Sequence, residues 1–415
     1  MTPLKIAVVG AGPAGLAAAI LLARLDHSVT IFEQFPEPRP VGSGLLLQPT
    51  GMAVLAEIGA LEATLARGQR IDNLEGRRAS DKRLVLDVAY RDAGPGRFGH
   101  AVHRHVLFDV LYQIVRGEDF DLRTGFPCEA LEATGDGNRL VSASGAKTES
   151  FDLVIDASGA RSKLRSLAFP DVEPKQLPFG AIWTTVDFRS ETEPHRLVQR
   201  YRKADVMVGV LPLGQPFAGE GNKAALFWSV KPDEYPDLVA KRYDAFANRI
   251  GSFFPEAEPL FRRAEGFEAM TLARYTHHTL PNPVKGRLVF IGDAAHSASP
   301  QLGQGANMAL LDAAALAAAF ATERTAEDAL PAYVKSRRLH LRLFQALSAA
   351  FTPFYQSDSS VFPLIRDRLV PPLASLGVSR KLLAHMVSGT LLDPMKRIGL
   401  SEGSAQVLRP IGGSP

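Results

Sequence analysis

The tightest constraint on this chain lies at residues 4 to 33, LKIAVVGAGPAGLAAAILLARLDHSVTIFE. An apolar run ends at Gly10, an Ala/Leu-rich stretch of helical character fills 14 to 25, and SVTIFE is a second β-like run that closes on an acid. That order is the β-α-β unit that opens a doubly wound parallel sheet. Gly10, Gly12 and Gly15, with Ala14 between them, form a G-x-G-x-x-G between strand and helix. The first glycine permits the tight turn, the second lets a pyrophosphate approach the backbone, and the third lets helix and strand pack closely. A helix start led by glycines attracts anions, because free N–H groups and the helix dipole point the same way. Glu33 closes the next strand, where a carboxylate can accept from both hydroxyls of an adenosine ribose. A dinucleotide is expected here, with FAD and NAD(P) both open.

A second glycine-led helix start lies near the other end, at residues 291 to 314, IGDAAHSASPQLGQGANMALLDAA. Asp293 at a strand end, followed by such a helix, suits a ribityl hydroxyl chain and a ring that needs negative charge stabilised. The helix MALLDAAALAAAF is apolar on nearly every side, so it is expected to be buried and to hold its N-terminus still.

With 415 residues the chain exceeds what one core usually supports, so two domains or one domain with an insertion are expected. A net charge of +3 and the absence of a basic run interleaved with aromatics argue against nucleic acid and for small-molecule chemistry. The single cysteine, Cys128, rules out an intramolecular disulfide and any CxxC motif; no metal site is expected, and the thiol reads as inert. The apolar N-terminus is broken by Gly10, Gly12, Pro13 and Gly15, which is unlike a signal peptide. No stretch reads as long and apolar enough to span a bilayer, so a cytoplasmic protein with no membrane partner is expected.

Along the chain, helices are expected at about 50 to 66 and 103 to 116, and FDLVI at 151 to 155 reads as a strand ending at Asp156. From 179 to 230 the runs GAIWTTVDF, DVMVGVLPL and AALFWSV lack crossover helices, which predicts an antiparallel sheet. The first pattern returns at 281, and beyond Pro331 the chain turns helical and basic. The expected fold class is therefore α/β: a Rossmann-like domain with an inserted, mainly antiparallel substrate sheet and a C-terminal helical region. The boundaries predicted are 1–75, 101–178 and 276–335 for the nucleotide domain, 76–100 and 179–275 for the substrate domain, and 336–415 for the helices.

GAGPAG with Glu33, DLVIDASGARSKLR and GDAAHSASPQLGQGAN together resemble the three fingerprints of FAD-dependent aromatic hydroxylases, the para-hydroxybenzoate hydroxylase-like flavoprotein monooxygenases. The resemblance covers residues 4 to about 55, 100 to 170 and 280 to about 340; the inserted sheet carries no fingerprint. It implies FAD as cofactor, with Gly10, Gly12, Ala14 and Gly15 at the pyrophosphate and Glu33 at the adenosine ribose. Arg104 would reach the phosphate and ribityl region, Asp293 the ribityl chain, and Pro300 the flavin face. The backbone of Gly303, Gly305, Ala306 and Asn307 would face the pyrimidine edge, where helix N–H donors stabilise the charge of reduced flavin.

One departure stands in the middle fingerprint. Ser158-Gly159 replaces the family's Asp-Gly, although Asp152, Gly159, Ser162 and Arg165 keep their places. Because that Asp helps order the region used by FAD and NAD(P)H, the choice between NADH and NADPH stays open.

The implied activity is hydroxylation of an aromatic or heteroaromatic small molecule with NAD(P)H and O2 through a flavin C4a-hydroperoxide, by a monomer or homodimer. Pocket candidates in the inserted sheet are Trp183, Arg200, Tyr201, Arg202, Trp228 and His277 or His278; the tryptophans also read as core aromatics and the arginines as a solvated strand face. The alternatives are a flavin-dependent reductase with the same fingerprints, a ubiquinone-pathway hydroxylase, and a non-catalytic FAD-binding protein. A flavin halogenase is disfavoured, because FWSVKP does not supply a WxWxIP signature. The stretch VFPLIRDRLVPPLASLGVSRKLL is expected to form a packed helix pair or a dimer surface, since Pro363, Pro371 and Pro372 interrupt any amphipathic face.

Overall fold

The computed structural model describes residues 1 to 400 apart from 40, 41, 119, 190–193 and 265, and leaves out the side chains of 373–375. The strand Lys5–Val9, buried after its first residue, lies inside a six-stranded sheet. Its neighbours are Ser28–Phe32 and Leu153–Asp156, and Asp121–Arg123 and Leu288–Phe290 lie outside these. All of these pairs are parallel; only the edge strand Val284–Lys285 runs antiparallel. Helices Pro13–Ala23 and Gly305–Thr322 pack against one another and share a core with Ile6, Val8, Ile31, Ile155 and Val289. The glycine loop explains how closely these layers meet. A Cβ on Gly15 would lie 1.9 Å from the Gly10 carbonyl oxygen, and Gly10 itself holds φ +104°.

The helix Gly305–Thr322 corrects one expectation. By length and composition it could cross a bilayer, yet 72% of it is buried inside the protein, where it serves as a core helix.

The substrate sheet has seven strands, in the order Thr271–Ala273, Gly180–Asp187, Lys223–Val230, Val206–Gly214, Arg196–Arg202, Asn73–Arg78 and Leu84–Ala89. It is antiparallel except where Arg196–Arg202 meets Asn73–Arg78 in parallel. That pair is the seam between two separate chain segments, so no hairpin dictates its direction. Side chains alternate across the sheet. One face, with Ile182, Val208, Leu226 and Trp228, packs on Phe246 and Ile250 of the helix Tyr243–Phe253 and on Phe261. The other carries Trp183, Tyr201, Leu211, Leu213, Ala225 and Phe227, among residues of the C-terminal helices. A small sheet of Gly44–Leu47, Gly99–His103 and Gln69–Ile71 joins the two layers.

Several expected boundaries shift. The divisions at 75/76 and 100/101 cut the strands Asn73–Arg78 and Gly99–His103, and the division at 335/336 falls inside the helix Ala326–Tyr355. That helix starts before Pro331, with the Thr325 hydroxyl accepting from the Asp328 N–H as its cap. The single helix expected over 50 to 66 is two, Pro49–Ile58 and Leu61–Leu65, because Gly59 at φ +81° closes the first. Helix Arg104–Gly117 matches its prediction within a residue at each end. Val361–Ser375 and Gly377–Val387 form a helix pair in which Pro371 and Pro372 lie within the last turns of the first helix.

Candidate active site

The first anion site is built by the turn between Val9 and Pro13. Gly12 caps the helix Pro13–Ala23 without a side-chain cap, and the first intrahelical bond runs from Leu16 N–H to Gly12 O. The N–H groups of Ala14 and Gly15 therefore have no partner within the helix. A Cβ at Gly12 would meet nothing within 4 Å, so a bulky anion can reach the backbone there. Glu33 is buried, and its carboxylate accepts from Ala11 N–H at 2.9 Å and Phe35 N–H at 3.0 Å, one bond on each oxygen. Each oxygen keeps a further lone pair for a ribose hydroxyl.

The second site is held by a buried ionic cluster that the sequence reading passed over. Asp312, inside the helix Gly305–Thr322, accepts from Gly292 N–H at 2.9 Å, His296 Nε2 at 2.6 Å and Arg337 Nε at 2.7 Å. Burial pushes this carboxyl up, but the facing His296 and Arg337 prevail and hold it well below the usual carboxylate range. Arg337 also donates to His340 Nδ1 at 3.2 Å, and His340 Nε2 donates to Gly389 O at 2.9 Å. Burial and Arg337 press the His340 imidazole down to about 3, so it stays neutral. A lone acid in an otherwise apolar helix was the available signal, since a buried carboxylate needs partners.

This cluster pins Gly292, at φ +59°, and with it the turn Gly292–Ala294 that presents Asp293. Asp293 is exposed, yet its deep setting raises its carboxyl pKa against the pull of His296 and Arg104. A group that is both reachable and desolvated lines a cleft. Pro300 starts the turn Pro300–Leu302, which Gly303 ends at φ +62°. Gln304 then leads the helix with no side-chain cap, so the N–H groups of Gly305, Ala306 and Asn307 have no intrahelical acceptor. The Asn307 side chain is fully buried and serves the scaffold. Its Oδ1 accepts from Gln48 N–H at 2.8 Å, and its Nδ2 donates to Leu46 O at 3.1 Å and Gly303 O at 3.0 Å. Gln48 Oε1 accepts from Tyr90 at 2.7 Å, while the buried Gln48 Nε2 has no partner among the described residues and lies 3.6 Å from where a Gly303 Cβ would stand.

Arg104 begins its helix with N–H donating to Ser43 O at 2.9 Å, and its Cδ would lie 2.9 Å from a Cβ on Gly42. Its cation acts on both Asp293 and Tyr275, so segments remote in sequence converge on it.

At the middle fingerprint a carboxylate, Asp156, stands two residues before Ser158. Asp156 is fully buried and accepts from Ser158 N–H at 2.9 Å, Ser158 Oγ at 2.6 Å and Ser162 Oγ. Burial raises its pKa against these hydrogen bonds and the nearby Arg165. Arg165, also buried, donates to Ala160 O at 2.9 Å and to His278 Nε2 at 3.3 Å. Burial, then Arg165, lowers His278 to about 4. His278 is thus part of this scaffold, and His277 lies beside it on the strand Thr276–Thr279.

Strand alternation sorts the remaining pocket candidates. Trp228 lies on the far face against Phe246 and Phe253 at 5.3 and 5.9 Å. Arg200 is buried, against the expectation of a solvated face, because its guanidinium stacks on Phe254 at 4.4 Å and lies 3.9 Å from Glu75. Arg202 pairs with Asp205 at 2.6 Å. Tyr201 faces the C-terminal helices and is sealed between Gln199 and Tyr355. Trp183 faces the same way and is half-buried, tilted on Phe227 at 4.8 Å, with its Nε1 donating to Tyr275 Oη at 3.0 Å. Tyr275 was not among the sequence candidates. Cys128 is half-buried, and burial lifts its thiol to about 12.

The sequence model of the family described as "FAD binding domain" matches residues 3 to 346. Among curated proteins, the chain is 27% identical over 382 residues to the aurachin C monooxygenase/isomerase of Stigmatella aurantiaca, covering 90% of this chain and 95% of that one. It is 29% identical to the 3-amino-4-hydroxybenzoate 2-monooxygenase of Streptomyces cremeus over 321 residues, 75% of this chain and 77% of the other. Among solved structures, Klebsiella pneumoniae HpxO complexed with FAD and uric acid superposes with a TM-score of 0.78 at 19% identity, covering 94% and 98% of the two chains. The tetrameric form of 2-methyl-3-hydroxypyridine-5-carboxylic acid oxygenase gives 0.74 at 24% identity, covering 90% and 98%. These two likenesses establish the shared fold.

Proposed function

Because the chain belongs to the FAD-binding domain family, we propose that it is an FAD-dependent monooxygenase that hydroxylates an aromatic or heteroaromatic small molecule, with NAD(P)H as reductant and O2 as oxygen source. The observation that carries this reading is the pair of uncapped helix N-termini, at Gly12 and Gln304, together with the Arg104 cation acting on the exposed Asp293 carboxylate. A long cofactor with a pyrophosphate at one end and a redox ring at the other fits both.

The residues present suit FAD. Gly12 leaves open room at the backbone, Glu33 has acceptor capacity left on each oxygen, and the buried Gln48 Nε2 beside Gly303 lacks an acceptor. In this assignment Gly10, Gly12, Ala14 and Gly15 hold the pyrophosphate and Glu33 the adenosine ribose. Arg104 and Asp293 hold the ribityl phosphate region. The N–H groups of Gly305, Ala306 and Asn307 face the pyrimidine edge, with Pro300 at the ring face. When bound, FAD supplies the redox chemistry and the activation of oxygen; the protein supplies orientation, a dry pocket and electrostatics. The helix start contributes fixed donors that need no reorganisation, because Asn307 and Asp312 lock it from below.

An aromatic substrate is supported by the half-buried Trp183, whose indole is a flat apolar surface backed by the buried Phe227. Relatives named for an aminohydroxybenzoate and for aurachin C support the same class. The test is to purify the flavoprotein and follow NADH and NADPH oxidation under O2 against phenols, quinolones and hydroxypyridines. Substrate-stimulated oxidation with stoichiometric hydroxylated product is expected. A saturated product without oxygen incorporation would replace the reading with a reductase.

A further inference from the structure

We propose that Trp183 and Tyr275 form a substrate-orienting pair, in which the Tyr275 hydroxyl donates a hydrogen bond to an oxygen carried by the aromatic substrate. This rests on the monooxygenase reading and adds a recognition element to it.

A tyrosine hydroxyl has one proton to give and two lone pairs. Trp183 Nε1 donates to Tyr275 Oη at 3.0 Å, so that contact uses a lone pair and leaves the proton free. No acceptor for this proton occurs among the described residues. The phenol is half-buried, and burial raises its pKa against the Trp183 bond and the Arg104 cation, so it remains a donor at neutral pH. A donor that is fixed, protonated and unpaired within the chain is available to a ligand that displaces water from it.

The position points to the same partner. Trp183 and Thr185 alternate onto one face of the strand Gly180–Asp187, separated by roughly 7 Å. Thr185 Oγ1 lies 2.7 Å from Ser43 Oγ, and the Ser43 carbonyl receives the Arg104 N–H. Trp183 is thus linked through Thr185 and Ser43 to Arg104, whose cation also acts on Tyr275. Because the only polar atom of Trp183 is already satisfied by Tyr275, the indole offers its flat surface, backed by Phe227 at an interplanar angle of 35°. A planar ring bearing an oxygen acceptor, a phenol or a ring carbonyl, matches a flat wall with one donor at its edge. Trp183 acts as a positioning residue, since its bond sets the torsion of the Tyr275 hydroxyl.

The experiment uses the FAD-loaded enzyme and three probes of similar size: 1-naphthol, 1-methoxynaphthalene and 1-methylnaphthalene. Binding is read from perturbation of the flavin absorbance, and flavin content and thermal midpoint are measured first for each protein. In the wild type the two oxygen-bearing probes are expected to bind about three- to tenfold tighter than the hydrocarbon. Tyr275→Phe should erase this preference while hydrocarbon affinity and flavin content hold. Trp183→Phe should weaken it, because the freed hydroxyl can rotate. A purely structural role would lower the thermal midpoint and leave the preference intact. An unchanged preference in Tyr275→Phe, or no binding of either oxygen-bearing probe by flavin-loaded wild type, overturns the proposal. A wild-type protein that holds no flavin would overturn the cofactor assignment along with it.

Discussion

Replacing Asp312 tests how the second cofactor site is held. Its side chain is 1% exposed and that of Arg337 4%, so removing the carboxylate strands a guanidinium away from water. Breaking such a pair costs about 3–5 kcal/mol. The Gly292 N–H, which Asp312 accepts at 2.9 Å, is also orphaned, at about 1–3 kcal/mol. The sum for Asp312→Ala, about 4–8 kcal/mol, is comparable with a whole native stability of about 5–15 kcal/mol. Asp312→Asn keeps the volume and one acceptor but turns a donor toward Arg337 or His296, and should cost about 3 kcal/mol. Removing both charges, as Asp312→Leu with Arg337→Met, should cost less than Asp312→Ala alone, because no buried ion remains unpaired. Urea unfolding midpoints measure each step, and FAD retained after gel filtration reports the Asp293 turn that Asp312 anchors. A double variant as unstable as the sum of its single changes would refute the buried-charge reasoning. An Asp312→Asn protein with wild-type midpoint and flavin content would refute the anchoring role.

Asp293→Ala and Arg104→Ala should each lower FAD retention about tenfold, since each removes a polar partner from the cleft; wild-type flavin content in both would contradict the assignment. Ser158→Asp would set a second carboxylate against Asp156, whose Oδ1 now accepts from Ser158 Oγ at 2.6 Å. Its stability is expected to fall by about 1–3 kcal/mol, and its nicotinamide kinetics to change more than its flavin content; unaltered unfolding and kinetics would show the position to be neutral. Acid should weaken the fold through buried neutral imidazoles. His100 and His278 are held down to about 4, chiefly by burial, and both are 4% exposed. The unfolded chain binds more protons between the ordinary histidine pKa and 4, so stability is full above about pH 6.5 and declines below it. The slope is roughly 1.4 kcal/mol per pH unit for each histidine. Urea midpoints equal at pH 7.5 and pH 5 would rule this out.

Gly10, Gly15 and Glu33 were legible because their roles are local: a positive φ, a 1.9 Å approach to a neighbouring carbonyl, and a strand end. Asp293 and the Gly303 to Asn307 segment were legible for the same reason, as a strand, a turn and a helix start in one contiguous stretch. The side-chain role of Asn307 was not, because its partners Leu46 and Gln48 lie some 260 residues away. Arg200 and Arg202 looked alike in sequence, yet strand alternation and the approach of Phe254 buried one and left the other half-buried beside Asp205. In sequence the prolines of the C-terminal stretch interrupt any amphipathic face; the helix Val361–Ser375 nevertheless carries Pro371 and Pro372 in its last turns, where each removes one i→i−4 hydrogen bond and only three residues of helix remain beyond them.

By itself the sequence determined the β-α-β opening, the glycine-led helix start at Gly12, the second glycine-led start before Asn307 and the burial of the helix that follows it. Those features depend on backbone conformation and hydrophobic periodicity, which act over a few residues. Only the tertiary structure decided that the Arg104 cation acts on both Asp293 and Tyr275, that Asp156 accepts from Ser158 and Ser162, and that Trp183 and Trp228 lie on opposite faces of the sheet. These facts follow from which strands pair and which face each presents, and a register set by contacts between distant segments leaves no local mark in the chain.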